Sequence, residues 1–273
     1  MMKEPGERFR ALHAPGSCFV IANAWDAGSA RILAGMGFAA LATSSGASAA
    51  TLGRLDGQVR RDEALAQAAA IAAAVSIPVS ADLERGFGIS PETVASTVRL
   101  AGTCGLAGCS IEDASGDHEA PVYDFQLAVE RVAAAAEAAR SLPSAFVLTA
   151  RAENCLHGIV DLDDTIRRLQ AFEKAGADVL FAPGLPSLDA VRQVCAAVSR
   201  PVNFMVGIPG RSFSVAELAN AGVTRISLAS SLHRAAMTGM MQAASEVLEK
   251  GTFTYLDALV SGRDMTRHFS PPR

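Results

Sequence analysis

The sequence predicts an α/β fold, a (β/α)8 barrel of the TIM type, and three observations predict it. Short β-rich apolar runs alternate eight times with longer helical stretches. The runs are nearly continuous in apolar residues, which is typical of parallel strands buried on both faces. No GxGxxG turn follows the first run, which disfavours a doubly wound sheet. Eight βα units in about 230 residues fit the barrel.

Each predicted strand is followed by a helix. The strands are predicted at residues 18–26, 40–45, 78–84, 106–113, 146–153, 178–184, 201–207 and 225–231. The helices are predicted at residues 27–36, 61–75, 91–102, 125–140, 162–175, 187–198, 214–221 and 232–249. Ser90, Ser187 and Ser214 suit helix N-caps. Gly37 and Gly102 suit left-handed helix ends.

The chain is expected to form a single barrel domain over residues 1–273. No linker rich in proline, glycine and serine divides it. Residues 232–273 are expected to form a helical C-terminal extension, in which the tail from Gly251 adds a helix packed on the barrel or on a partner subunit.

Composition excludes several classes of protein. Half of the 273 residues are apolar, 19% are charged and the mean hydropathy is +0.25, which excludes intrinsic disorder. The net charge of −4 and the lack of a basic block argue against nucleic acid as a partner. No apolar run approaches the roughly 20 residues of a membrane span. Charges near the N-terminus argue against a signal peptide, so a cytoplasmic location is expected. Five cysteines without a CxxC pair predict no disulfide framework.

Acidic residues cluster where the predicted strands end, which is the active edge of such a barrel. They are Asp56, Asp82, Glu84, Glu112 and Asp113. Carboxylates this close repel each other, and a divalent cation relieves the repulsion. Oxygen ligands without histidine or cysteine indicate Mg²⁺ or Mn²⁺. Asp82 and Glu84, two residues apart, would share one face of the strand. The alternative is that the acids form salt bridges with Arg54, Arg60 and Arg85.

Three other features at the same edge suit a small anionic substrate. Arg151 could bind a carboxylate or phosphate through two N–H groups, or could pair with Glu153 or Glu112. The backbone of residues 45–47, Ser-Gly-Ala, could cradle an anion just after a strand. Trp25 could form an apolar wall of a pocket or simply pack in the core.

These residues occur in an order that resembles the isocitrate lyase/phosphoenolpyruvate mutase superfamily. The matching pieces are residues 23–26 (NAWD), 44–46 (SSG), Asp56, 81–88 (ADLERGFG), 108–113 (GCSIED), 150–153 (ARAE) and 201–203 (PVN). The resemblance covers residues 18–235. It implies a modified barrel, a tetramer built as a dimer of dimers that exchanges its eighth helix between subunits, and dependence on Mg²⁺. It also implies 2-oxo or 2-hydroxy carboxylate substrates and an enolate-type intermediate.

The resemblance also implies roles for individual residues. Asp82 would be the direct metal ligand, and the residues that hold metal-bound waters would be Asp56, Glu84 and Glu112. The contacts to the carboxylate end of the substrate would come from Ser45, Gly46 and Ala47, with Trp25 and Asp82 beside them. Arg151 would bind the oxo-acid oxygens, and Asn203 would contact the distal part of the substrate. Glu84 departs from the family pattern, which has aspartate there.

A second departure lies in the loop after the fourth strand. Lyases of the family carry a Lys-x-Cys-Gly-His loop whose cysteine acts as the acid, and mutases carry a lysine with a nearby asparagine or threonine. Residues 114–124 contain none of cysteine, lysine or asparagine. His118 could replace the acid, because its reference pKa of about 6.5 suits proton transfer, or it could be a solvent-exposed loop histidine. Residues 182–184, Ala-Pro-Gly, stand where lyases have a substrate-binding glutamate.

The sequence therefore predicts a Mg²⁺-dependent carbon–carbon lyase, with Arg151, Glu112 and His118 as its catalytic residues. Its substrate would be oxaloacetate or a 2-methylisocitrate-like compound. Two alternatives stay open. One is phosphonate chemistry, as in phosphoenolpyruvate or carboxyphosphonate mutases and phosphonopyruvate hydrolases. The other is a protein that binds a 2-oxo acid without turnover.

Overall fold

A computed structural model describes residues 4–269 and confirms the predicted barrel. Eight parallel strands pair in chain order, and the eighth pairs with the first. They are β1 (Phe19–Asn23), β2 (Leu41–Ala42), β3 (Val79–Asp82), β4 (Gly108–Glu112), β5 (Val147–Arg151), β6 (Val179–Phe181), β7 (Val202–Met205) and β8 (Arg225–Ser227). Each lies within its predicted segment but is shorter, because the chain leaves the sheet where the site begins.

Helices surround the barrel. They are α1 (Pro5–Leu12), α2 (Ala27–Gly35), α3 (Ser45–Thr51), α4 (Arg61–Ala74), α5 (Pro91–Gly102), α6 (Phe125–Arg140), α7 (Leu162–Ala175), α8 (Leu188–Ala197), α9 (Val215–Asn220), α10 (Ser231–Lys250) and α11 (Gly262–Thr266), with 3-10 turns at Thr254–Ala258 and Arg267–Phe269. The serine N-caps hold as predicted, since Ser90, Ser187 and Ser214 each accept a hydrogen bond from a backbone N–H in the first turn. Helices α1 and α3 were not among the predicted helices.

Apolar packing between strands and helices forms the core. Alanine-rich α6 packs closely against α5, and it buries Ala135 and Ala138 completely or nearly so. Ile71, Leu169 and Phe172 fill the space between other helices and the sheet. Small helix residues bring the helices near the strands, so the strands are covered on their outer face.

The interior of the barrel is unusually polar. Arg225 on β8 donates a hydrogen bond from Nη2 to Oγ1 of Thr149 on β5, at 3.0 Å. These strands are not neighbours, so the bond crosses the interior. Asn203 and Ser80 are also buried there, and both line the cavity described below. The barrel therefore carries hydrogen-bonding side chains beneath the strand ends that form the site.

Helix α1 closes the opposite end of the barrel. Phe9 on α1 is fully buried against Gly108 at the start of β4. Gly6 lies so close to the carbonyl of Ala145 that a Cβ there would clash at 1.6 Å. His13, at the C-terminus of α1, contacts Arg225 at the start of β8. Helix α1 thus contacts the N-terminal ends of several strands at once.

Helix α10 leaves most of its surface exposed. His233 in its first turn is its one buried residue among those described, and Leu232 packs against the barrel core. Further along the helix Met240, Met241 and Leu248 are exposed, Leu248 to 86%. The tail that follows returns to α2, where Arg31 donates a hydrogen bond to the carbonyl of Phe269. Among residues 4–269, no helix has the length and apolar character needed to cross a membrane.

Candidate active site

A cavity of about 170 Å³ opens among the strand ends, where the barrel model places the chemistry. Six of the predicted site residues line it, namely Ser45, Gly46, Asp56, Asp82, Arg151 and Asn203. Further polar residues line it without having been predicted, namely Asn23, Thr43, Ser44, Ser80, Ser110, Arg225, Ser227 and Ser230. Most of the predicted substrate-binding residues are therefore brought together.

The carboxylate of Asp82 is held in place from several sides. Its Oδ1 accepts hydrogen bonds from the Ser110 hydroxyl at 3.3 Å and from Arg151 Nη1 at 3.0 Å. Its Oδ2 accepts from the backbone N–H of Ser45 at 3.2 Å. The backbone N–H of Asp82 in turn donates to Thr43 Oγ1 at 2.9 Å. Strands β2, β3, β4 and β5 thus fix one carboxylate at the cavity wall.

Arg151 joins three carboxylates. Its Nη1 contacts Asp82 at 3.0 Å, its Nη2 contacts Glu112 at 3.0 Å, and its Nε donates to Glu153 at 2.7 Å. The ion pairs with Glu112 and Glu153 considered in the sequence analysis are both present. These three contacts use three of the five guanidinium N–H groups, so two remain for substrate oxygens. The three acids raise the pKa of Arg151 well above its ordinary value despite burial.

The site carries more negative charge than Arg151 can neutralise. Burial, together with Asp82 and Asp56, raises the pKa of Glu84 to about 7. The pKa of Glu112 is also raised, chiefly by burial, although Arg151 opposes the shift. Of the predicted alternative partners, Arg54 and Arg60 both pair with Glu63, whereas the charge of Arg85 opposes the upward pKa shift of Glu84 without overcoming it.

This donor set fits a hard divalent cation such as Mg²⁺. Carboxylate and hydroxyl oxygens surround the Asp82 side of the cavity, and the charge excess favours a cation there. Within residues 4–269, no three acidic, histidine or cysteine side chains converge into a ready chelating cluster. The assignment of Asp82 as a direct ligand, with the other acids acting through water, stays a prediction.

The remaining predicted site residues do not line the cavity, namely Trp25, Ala47, Glu84, Glu112 and His118. Trp25 packs edge-on against His233, with ring centroids 5.2 Å apart, as the packing alternative requires. Ala47 is buried in α3, and its N–H donates to Ser44 Oγ. Glu112 ends β4 and reaches the site through Arg151. His118 is exposed on the loop between the bridged residues Ala114 and Val122.

The prediction for residues 45–47 needs a correction. They form the first turn of α3, capped by Ser44, rather than a loop. The N–H groups of Ser45 and Ala47 are occupied by Asp82 and Ser44, so they do not face a substrate freely. Gly46 remains open to the cavity, and a Cβ there would lie 3.1 Å from Asp56 Oδ2.

The expected geometry of Glu84 is also wrong. Strand β3 ends at Asp82, and Glu84 lies in the following turn with φ of +49°. The two-residue alternation of a strand therefore no longer applies, and the two side chains do not share a strand face. The turn is held by the N–H of Glu112, which donates to the carbonyl of Glu84 at 3.0 Å. Glu84 instead approaches Gly57, beside Asp56.

A buried network behind the site also went unrecognised. Asp113, predicted as one of the clustered acids, turns away and pairs with Arg168 Nη1 at 3.0 Å. Its other oxygen accepts the backbone N–H of Glu153 at 2.8 Å. Burial raises the pKa of Asp113 to about 6. This network fixes Glu153, which in turn orients Arg151.

Comparison with known proteins agrees with this architecture. Residues 9–248 match the family described as phosphoenolpyruvate phosphomutase. The chain is 32% identical to the 2-methylisocitrate lyase of Escherichia coli K12 over 74% of its length and 69% of the relative. It is 31% identical to the oxaloacetate decarboxylase of Pseudomonas entomophila L48, over 71% of its length and 68% of the relative.

A solved structure gives a further match. A protein of Burkholderia cenocepacia J2315, whose designation of lyase/mutase leaves its reaction open, is 51% identical to the chain. The TM-score is 0.95, and the match covers 98% of this chain and 96% of the other. Members of the matched family typically depend on Mg²⁺ and act on small carboxylates. The ordered strand-end residues, the barrel and these matches together place the chain in the phosphoenolpyruvate mutase/isocitrate lyase superfamily.

Proposed function

We propose that the protein is a Mg²⁺-dependent carbon–carbon lyase that decarboxylates a small 2-oxo dicarboxylate of the oxaloacetate type. The observation that carries this proposal is the pairing of Arg151 with Asp82 on the wall of a small polar cavity. The guanidinium can bind two oxygens of a 2-oxo acid, and the anchored carboxylate can hold the cation beside them.

The residues suggest the following mechanism. Mg²⁺, held by Asp82 directly and by Asp56, Glu84 and Glu112 through water, would supply Lewis-acid stabilisation of charge on the 2-oxo oxygen. Arg151 would donate its two uncommitted N–H groups to the oxo-acid oxygens and stabilise the enolate as the bond to the departing carboxylate breaks. Glu153 and Glu112 would keep the guanidinium aligned for that role.

The cavity wall favours decarboxylation over cleavage of a 2-hydroxy acid. Among its described lining residues there is no cysteine, histidine, lysine or tyrosine. Both reactions end in protonation of a carbanion or enolate, but cleavage of a hydroxy acid also needs a base for the hydroxyl proton. Loss of carbon dioxide from a 2-oxo acid needs only stabilisation of the enolate, followed by its protonation.

The first experiment measures pyruvate release with Mg²⁺ present. The panel contains oxaloacetate, isocitrate, 2-methylisocitrate, dimethylmalate and phosphonopyruvate. We expect release from oxaloacetate that is abolished by EDTA and lowered at least about 10³-fold in Asp82→Asn, because the variant removes the metal-binding charge. Asp62→Asn, at an exposed position on α4, is the control and should keep wild-type turnover. Phosphate release from phosphonopyruvate would instead establish phosphonate chemistry, and ligand binding without any product would establish a binding protein.

We further propose that His118 protonates the enolate when its loop closes over the cavity. We expect His118→Gln to lower kcat about 10²-fold with little change in KM, because general acid catalysis contributes about that much. Glu119→Gln, next to it on the same exposed loop, should leave kcat unchanged. A His118→Gln enzyme with wild-type kcat would assign the protonation to water.

The exposed face of α10 supports a tetramer in which this helix packs on a partner subunit. Its apolar residues Met240, Met241 and Leu248 are left uncovered within one chain, and helices normally bury such residues. We expect Leu248→Glu to reduce the mass measured by light scattering from that of a tetramer to that of a smaller species. Glu249→Lys, its exposed polar neighbour, should leave the mass unchanged. A monomeric wild-type protein would contradict the proposal.

A further inference from the structure

Arg225 is a buried arginine without an acidic partner. It is 5% exposed at the start of β8, and it lines the cavity from the interior of the barrel. Among residues 4–269, its hydrogen-bond partners are Asn203, Thr149 and His13. By contrast, Arg151 at the site and Arg168 behind it each pair with two or more carboxylates.

His13 does not neutralise this charge, because it is itself uncharged near neutral pH. Burial and the nearby Arg225 lower the pKa of His13 to about 3. Its Nδ1 lies 2.8 Å from the carbonyl of Phe9, to which it donates, so Nε2 is left to accept from Arg225. Burial lowers the pKa of Arg225 to about 9, so the guanidinium is still protonated at neutral pH.

Arg225 also sets the orientation of Asn203. Its Nε donates to Asn203 Oδ1 at 2.8 Å, so the amide nitrogen faces Ser227 and donates to its hydroxyl at 3.0 Å. That nitrogen keeps one further N–H, and the Ser227 hydroxyl keeps its own proton to donate. Arg225 itself keeps two of its five N–H groups. The cavity floor therefore presents several donors and, among the described residues there, no negative charge.

Burying a charge without a counter-ion is unfavourable, and the cost is relieved when an opposite charge arrives. An anion that enters the cavity and reaches the floor would supply that charge. Arg151 and Asp82 also line this cavity and would hold the 2-oxo acid head of a substrate. A second carboxylate on the same small molecule would then reach Asn203 and Ser227.

We propose that Arg225 selects substrates that carry a second carboxylate, by placing positive charge beneath that group and by orienting the amide of Asn203 toward it. Arg225 is thus a positioning and specificity residue. This inference rests on the proposed function for the position of the substrate head, but its test measures binding and not turnover.

The test compares two ligands that differ only in the distal group. Malate and 2-hydroxybutyrate have the same chain length, and malate carries a carboxylate where the other has a methyl group. Binding is measured by calorimetry on the full chain with Mg²⁺. We expect the wild-type protein to bind malate at least about tenfold more tightly, since a hydrogen bond to a charged group commonly contributes that much.

Two substitutions of Arg225 separate charge from packing. Arg225→Met should weaken malate binding about tenfold or more and leave 2-hydroxybutyrate binding unchanged. Arg225→Lys keeps the charge and should retain most of the preference for malate, which also keeps the test valid if the methionine variant folds poorly. His13→Gln, which changes the residue on the other side of the same guanidinium but keeps an acceptor there, is the matched control and should retain the full preference.

A double variant tests whether Arg225 acts through Asn203. Asn203→Ala alone should also weaken malate binding selectively, and its effect should not add fully to that of Arg225→Met, because the two residues form one unit. A wild-type protein without a preference for malate, or folded Arg225→Met and Arg225→Lys variants that both keep it, would overturn the proposal. An inactive protein that prefers malate would contradict only the proposed lyase function.

Discussion

Replacement of Arg151 by methionine is expected to abolish turnover and to destabilise the protein together. The substitution leaves Asp82, Glu112 and Glu153 without their shared counter-charge. Removing one partner of a buried ion pair costs about 3–5 kcal/mol, because the remaining charge stays desolvated. The substrate also loses the guanidinium that stabilises the enolate, so we expect pyruvate release to fall at least about 10³-fold.

The destabilisation should depend on pH in a stated direction. Without Arg151 the three carboxylates lose their shared counter-charge, and protons taken up as the pH falls relieve the repulsion among them. The loss of unfolding free energy should therefore be larger at pH 8 than at pH 5. Urea unfolding of both proteins at the two pH values measures it. Arg167→Met, which removes an exposed arginine that pairs with Asp164, should change neither stability nor turnover by much. A stable or active Arg151→Met protein would refute the assigned role.

The strand-end residues could be predicted because they depend on one geometric rule. Parallel strands place their carboxyl ends at one edge, so Asp82 and Arg151 had to meet once the eight units were recognised. Asn203 is a different case, since the family resemblance and not the strand-end rule pointed to it.

The same rule explains why Arg225 was missed. It stands at the first residue of its strand, the end that the rule assigns to stability. Nevertheless, its long side chain lines the cavity from inside the barrel. The sequence did indicate an unusual strand, because Arg225 and Ser227, two positions apart, are polar residues where a buried parallel strand is normally apolar.

Local backbone geometry accounts for the other differences. Ser44 caps α3 with an extended backbone, and the N–H of the next residue, Ser45, donates to the Asp82 carboxylate. The contact with Asp82 is a tertiary interaction, so the start of α3 cannot be predicted from local sequence. The positive φ of Glu84 is likewise fixed by contact with the neighbouring strand end at Glu112. Neither feature follows from hydrophobic periodicity.

Acid should unfold the protein partly through His13, and the sign of the effect follows from its pKa. In the unfolded chain the pKa is about 6.5, whereas in the folded protein burial and Arg225 lower it to about 3. Between pH 6.5 and pH 3, His13 therefore binds a proton in the unfolded chain but not in the folded protein. The stability contributed by the neutral imidazole is fully present above pH 6.5 and declines as the pH falls toward 3.

His13→Gln isolates this contribution, because glutamine keeps an acceptor for Arg225 but does not titrate in this range. Other groups titrate in both proteins and cancel in the difference. One proton per molecule corresponds to about 1.4 kcal/mol per pH unit, so wild type should lose about 3 kcal/mol more than the variant between pH 7 and pH 4.5. Urea unfolding across that range measures the difference. If the unfolding free energies of the two proteins instead changed in parallel with pH, α1 would detach and hydrate His13 before the barrel unfolds. The contact between His13 and Arg225 would then not couple α1 to the stability of the barrel.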